Sequence, residues 1–271
     1  MFRTTAYRHP NEFPTLLITL LVSAVVVLVT AFLTQCLSLL IVVFILGTSI
    51  FSSRAMQAQL MRKAFLISPE RSPELANVVQ VCARRLQPGP LNVYVVRENM
   101  VNAYTFGLSE SKNIVLYEPM LRIMNKGELA FVLGHEMGHV ALGHTWLNTI
   151  VGGLAGSPSP FGFGYIMYLV FQRWSRACEF SCDRAGLLAC GSLNYAVSAL
   201  VRLAAPKIQS QAEFEQALTM VDAQDDAFVN QVAELFQSHP MIIKRINALK
   251  AYAASPEYQL LQASVNQNLQ A

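Results

Sequence analysis

The chain has 271 residues, of which 53% are hydrophobic and 14% charged, with mean hydropathy +0.37 and a formal net charge of +3. This is too apolar for an ordinary soluble domain, so part of the chain is expected to meet lipid. The small charge and the lack of a dense Lys/Arg block exclude a nucleic-acid partner. The cysteines, Cys36, Cys82, Cys178, Cys182 and Cys190, are odd in number and form no paired C-x-x-C knuckles, which argues against a disulfide framework and fits a reducing compartment.

The first element is an uncharged run over 13–51, "FPTLLITLLVSAVVVLVTAFLTQCLSLLIVVFILGTSIF". A bilayer core takes about 20 helical residues, so the run has room for two spans. Thr34 and Gln35 fall near its middle, where a tight turn would sit. The expected anchor is a transmembrane helical hairpin in residues 1–54, with helices at about 14–33 and 36–51. One long tilted span is the alternative. A signal peptide is excluded, because its apolar core is only about 7–15 residues long. Arg3 and Arg8 precede the run, Arg54, Arg62 and Lys63 follow it, and the turn is uncharged. The positive-inside rule then puts both ends, and the domain that follows, in the cytoplasm.

The domain expected over 55–271 opens with a helix in "SPERSPELANVVQVCARRLQ", from its capping serine and the spacing of Leu75, Val78, Val79 and Cys82. "LNVYVV", "VNAYTFGL" and "NIVLYEPML" are rich in strand-forming residues and predict a small antiparallel sheet. After Gly186 the chain reads as helical to its end. The expected class is α+β and mostly helical.

Between sheet and helices lies "LAFVLGHEMGHVALGH". Asn125 and Glu128 form a capping-box pattern, and Leu129, Val132, Leu133, Glu136 and Val140 recur at helical intervals. His135 and His139 therefore share one face of a helix, able to offer two imidazoles to one metal ion, with Glu136 one residue round as a general base. The bland alternative is a pair of core histidines. His144 lies five residues beyond His139; on a continuous helix it points away from the pair and reads as a C-terminal residue set against the helix dipole. A third ligand is better sought in "RWSRACEFSCDRAG", where Glu179 and Asp183 are four apart on one helical face. Glu179 can complete a His, His, Glu site and Asp183 can hold a ligand histidine through its spare N–H. A solvated charged face among Arg173, Arg176 and Arg184 is the alternative. Cys178 and Cys182 read as packed thiols.

"GHEMGHVALGH", "EFSCDRAG" and "SHPMIIKRI", in that order behind an apolar hairpin, resemble the HtpX-like membrane-integrated zinc metalloproteases, a gluzincin-type family related to the CAAX prenyl proteases. The resemblance implies a zincin-like metalloprotease domain holding one Zn2+ per chain on His135, His139 and Glu179. Glu136 would be the catalytic base and Asp183 an outer support. It departs in one place: Cys182 stands where the family usually has alanine. "VNAYTFG" resembles the family's substrate-aligning strand, which would give Asn102 and Ala103 to substrate; an ordinary edge strand is the alternative. His239, followed by Pro240 and Arg245, matches the family's His-Pro segment, where a histidine donates to the oxyanion or caps the last helix.

A second uncharged stretch, 145–172, separates the histidines from Glu179. If all three residues bind one metal, both its ends must lie on one side of the membrane. Two spans need about 40 residues and only 28 are available. The expectation is an apolar helix–loop–helix insertion that dips into the membrane face or covers the site. The resemblance thus implies an integral membrane endopeptidase of bacterial inner-membrane type with a cytoplasmic catalytic domain. Its partners would be the lipid bilayer and polypeptide substrates, including misfolded membrane proteins. A CAAX-type processing protease and a non-catalytic chaperone or adaptor on the same fold are the competing readings.

Overall fold

The structure, a computed structural model, describes residues 6–35, 37–106, 112–145, 163–204, 212–216, 219 and 241–270. Two long helices come first, α1 (Glu12–Leu33) and α2 (Leu37–Met61). At the turn between them Gln35 takes a φ of 49°. α1 has 22 residues, mostly Leu, Val, Ala and Thr, and its apolar side chains stand outward: Leu17, Ile18, Leu21, Val25, Leu28 and Phe32 are all exposed. Among the described residues it alone is long and apolar enough to cross a membrane. α2 runs ten residues past the expected end at 51, because "SSRAMQAQLM" continues the helix with polar side chains instead of stopping it.

The sheet is mixed, not antiparallel. Its order is β1 (Ala64–Leu66), β2 (Leu91–Val96), β4 (Lys112–Tyr117), β3 (Ala103–Phe106). β1 and β3 run antiparallel to their neighbours, but β2 and β4 are parallel, in register from Leu91↔Lys112 to Val96↔Tyr117. β3 does not lie between them in the sheet: it folds back on the far side of β4 and becomes the edge. The expected third strand also ends early. Glu118 and Pro119 begin a short helix, α4 (Glu118–Ile123), with proline in its first turn, where its missing N–H costs nothing.

α5 (Lys126–Ala141) lies against this sheet, and α3 (Pro73–Leu86) packs along α5. The capping box expected at the start of α5 is present. The Asn125 side chain accepts from the N–H groups of Gly127 (2.9 Å) and Glu128 (3.0 Å), and the Glu128 carboxylate accepts from Asn125 N–H (2.8 Å). Glu128 is itself buried and accepts from Ser198 and from Arg202 at 3.0 Å, so the cap also ties α5 to a later helix, α7 (Leu193–Ala204). α5 is the central helix of the domain; from Phe131 to Gly138 every residue is buried.

α6 (Phe163–Cys190) packs along α5. Small residues make that approach close. A Cβ at Gly134 would fall 2.3 Å from Ala189 Cβ, one at Gly138 would fall 2.9 Å from Ala185 Cβ, and one at Gly186 would fall 2.8 Å from the Phe131 carbonyl. The second arm of the expected insertion is continuous with α6, the same helix that carries Glu179; its loop and first arm lie outside the described residues. α1 lies along α6, where Thr19 donates to the Val170 carbonyl at 3.2 Å. Helices α8 (Met241–Ala253) and α9 (Pro256–Gln270) close the domain. Ile242, Ile246, Leu249 and Tyr252 of α8 join the core built on Phe131, Leu133, Leu187 and Leu200. The described cysteines are free thiols.

Candidate metal centre

α5 and α6 each offer residues four apart on the faces they turn to one another, and the glycine contact lets those faces nearly touch. His135 Nε2 stands 3.5 Å from Glu179 Oε2, and His139 Nε2 stands 3.5 Å from Glu179 Oε1. One ligand atom from each of the three side chains falls within 4.8 Å of the others. The spacing is long for a hydrogen bond and right for a shared metal: ligands about 2.1 Å from a tetrahedral ion stand about 3.4 Å apart. The other ring nitrogens are engaged elsewhere. His135 Nδ1 lies 3.0 Å from Asp183 Oδ1, and His139 Nδ1 lies 3.1 Å from His144 Nδ1. Both imidazoles thus turn Nε2 toward Glu179, and this donor set fits a divalent metal.

The electrostatics agree. Burial opposes a positive charge on His135, but its bonds to Asp183 and Glu179 outweigh burial and lift its pKa to about 10. The point between the rings and Glu179 is therefore a place that stabilises a cation. Burial likewise opposes charge on the two carboxylates. Arg245 overcomes it, holding Glu179 well below and Asp183 below the ordinary carboxylate range. The Arg245 fork donates to Asp183 through Nε (2.7 Å) and Nη2 (2.6 Å), and Nη1 reaches Glu179 Oε2 at 3.0 Å. Arg245 also pins α8 to α6.

Glu136 sits one residue round α5 from His135, is 8% exposed, and accepts a hydrogen bond from the Thr105 hydroxyl of the edge strand β3. Among the described strands, β3 pairs only with β4, leaving its other edge open. Ala103 begins β3, and Asn102 precedes it with its carbonyl bonded to Tyr117 N–H at 3.0 Å. The structure therefore brings His135, Glu136, His139, Glu179, Asp183 and Arg245 together, with Asn102 and Ala103 on the adjoining edge. His239 and Pro240 lie outside the described residues.

Two features of the centre escaped the sequence. Thr105 is one. The other is His144, which does not point away from the pair. α5 ends at Ala141, and Gly143, with a φ of 76°, turns the chain so that the His144 ring comes back against His139. The expectation of a continuous helix failed at that glycine, whose ability to take positive φ was the available signal. Cys182, whose thiol burial pushes well above its ordinary pKa, packs beside His144.

Replacing Thr105 by valine keeps the shape and removes the bond to Glu136. A hydrogen bond to a charged group is worth about 1.5–3 kcal/mol, so any turnover that depends on Glu136 should fall at least about tenfold. Metal content measured by atomic absorption should be unchanged.

The family model for "Peptidase family M48" matches residues 69–253. The chain is 27% identical over 241 residues to the plastoglobule-localized metallopeptidase 48 of Arabidopsis thaliana, covering 81% of this chain and 69% of that protein. It is 25% identical over 222 residues to a protease HtpX homolog of Desulfatibacillum aliphaticivorans, covering 70% of this chain and 72% of the relative. An HtpX homolog of Pyrococcus furiosus is 35% identical over 114 residues, covering 41% of this chain and 37% of the relative. No solved structure matches. The helical domain, the small mixed sheet and the match across 69–253 carry one conclusion: the chain belongs to peptidase family M48, among its HtpX-like metallopeptidases.

Proposed function

We propose that this protein is a membrane-anchored zinc endopeptidase. The observation that carries the reading is the convergence of His135, His139 and Glu179 from two helices, with Glu136 beside them and an open strand edge alongside. His135, His139 and Glu179 hold one Zn2+, which when bound activates water and polarises the scissile carbonyl. Glu136 takes the proton of the attacking water and delivers it to the leaving amine. Thr105 fixes the rotation of that carboxylate. Substrate lies extended along the free edge of β3, where Asn102 and Ala103 align its backbone. Asp183 orients His135, and Arg245 neutralises the paired carboxylates behind the metal. His239 is assigned the oxyanion donor role, on its place in the motif order.

The anchor, residues 1–54, is a hairpin of α1 and the apolar part of α2, and the peptidase domain occupies 55–271. At 1.5 Å per residue α1 is about 33 Å long, matching a bilayer core of about 30 Å, and its exposed face is apolar, with Phe32 85% exposed. Arginines flank both ends of the hairpin, which favours a cytoplasmic domain. The apolar start of α6 lies against α1, so substrate emerging from the membrane meets the cleft. This arrangement supports a role in removing misfolded membrane proteins.

Metal removal tests the reading. Dialysis of the detergent-purified chain against a strong zinc chelator should abolish casein cleavage, and one equivalent of zinc should restore it. Cleavage that persists in the chelator would sink the proposal.

A further inference from the structure

A buried chain of polar groups runs outward from His139. His144 Nδ1 faces His139 Nδ1 at 3.1 Å, and His144 Nε2 faces Glu12 Oε1 at 3.1 Å. Glu12 opens α1. It is 1% exposed and His144 is 2% exposed. The Arg8 guanidinium lies 2.9 Å from the same Glu12 oxygen. The other Glu12 oxygen accepts from the Ser181 hydroxyl on α6, which in turn accepts the His9 N–H at 2.8 Å. Tyr7 is fully buried in the domain core. The segment 7–12, which leads into the first apolar helix, is thus strapped into the peptidase domain beside the metal centre.

The direction of the hydrogen bonds follows from chemistry. A histidine that binds metal through Nε2 keeps its proton on Nδ1 and must donate it. His144 Nδ1 must then accept, and the Cys182 thiol at 3.6 Å, also a donor, faces the same nitrogen. The proton of His144 is therefore on Nε2, where it donates to the Glu12 carboxylate. The two ligand histidines are held in parallel ways: His135 donates to Asp183, clamped by Arg245, and His139 donates to His144, which donates to Glu12, clamped by Arg8.

We propose that Glu12 and His144 are positioning residues for the metal ligand His139, so that the segment entering the membrane anchor sets the orientation of one ring of the metal centre. The inference rests on the zinc reading above and concerns residues outside its ligand set. Glu12, His144 and Cys178 also lie close enough together to suggest a second cation site. Arg8 already supplies a positive charge at Glu12, which favours the relay.

The test measures zinc affinity in the full-length chain in detergent, by competition with a chromogenic chelator, on a Glu136→Gln background that prevents self-cleavage. Outer partners of metal-bound histidines contribute about 10–100-fold in affinity. His144→Leu should weaken zinc at least about tenfold. His144→Gln, whose amide oxygen can accept the same N–H, should recover most of the affinity. Glu12→Ala should give a smaller loss, and the Glu12→Ala/His144→Leu pair should lose no more than His144→Leu, because the residues act in series. Equal affinities for the Leu and Gln variants would overturn the inference, as would additive losses in the pair. A second zinc equivalent that Glu12→Ala removes would do the same. Should His144→Leu fail to fold, Glu12→Ala must weaken zinc binding and His144→Gln must not. A parent chain that binds no zinc would instead overturn the reading beneath it.

Discussion

Replacing Arg245 by leucine should destabilise the domain by about 3–5 kcal/mol, the cost of leaving a buried charge without its partner. Asp183 is 2% exposed and takes both arms of the guanidinium fork, while the third nitrogen serves Glu179. Without Arg245, two carboxylates four residues apart on α6 face each other's field with only His135 and His139 to answer them. A whole domain is stable by only about 5–15 kcal/mol, so this is a large share of the total, and the midpoint of the metal-free variant should fall by about 6–20 °C. Zinc should raise its midpoint more than it raises that of the wild type, since a dication replaces part of the missing charge. Arg245→Lys should fall between, keeping the charge and losing the two-pronged geometry. Thermal unfolding with and without zinc reads all three. An Arg245→Leu chain with a wild-type midpoint would remove Arg245 from the account of the site.

The second large effect comes from a hydrogen atom's worth of space. In Gly134→Ala the new methyl would stand 2.3 Å from Ala189 Cβ and 3.0 Å from the Gly186 backbone. Carbon atoms in contact sit about 3.5–4.0 Å apart, and neither neighbour is a flexible side chain that can swing aside. α5 and α6 must move apart. Overpacking of this kind costs about 1–3 kcal/mol, against about 1 kcal/mol gained from the better helix former. The metal suffers more than the fold, because ligand distances tolerate about 0.2 Å and His135 is the next residue along. Zinc affinity should drop at least about tenfold. The double variant Gly134→Ala/Ala189→Gly moves one methyl across the interface and should recover most of the loss. A single variant that binds zinc as tightly as wild type would contradict the close-packing argument.

What could be read from the sequence was what is encoded locally. The capping box at Asn125, the i, i+4 pairs His135/His139 and Glu179/Asp183, the helix in "SPERSPELANVVQVCARRLQ" and the helical character of the described residues after Gly186 each depend on residues within a turn or two of one another. The order of strands was not legible. β2 and β4 pair in parallel with β3 outside them, a choice made by tertiary packing that strand propensity does not report. β1, only Ala64–Leu66, is too short to carry a pattern. His144 was misplaced because one glycine reverses the chain after α5. Glu12 was unreadable for a different reason: its partners His144 and Ser181 are 132 and 169 residues away, so nothing near it marks a polar group beside the metal centre. Glu12 and Arg8 look in sequence like ordinary flanking charges of an apolar helix, and only the fold turns them inward.

The α5–α6 centre is proposed to bind one zinc and to cleave peptide bonds with Glu136 as base. Its most direct test pairs metal content with casein cleavage in wild type and Glu136→Gln. Both proteins should hold about one zinc per chain, and wild type alone should cleave. Cleavage by Glu136→Gln at the wild-type rate, or a wild-type chain without zinc, would contradict it.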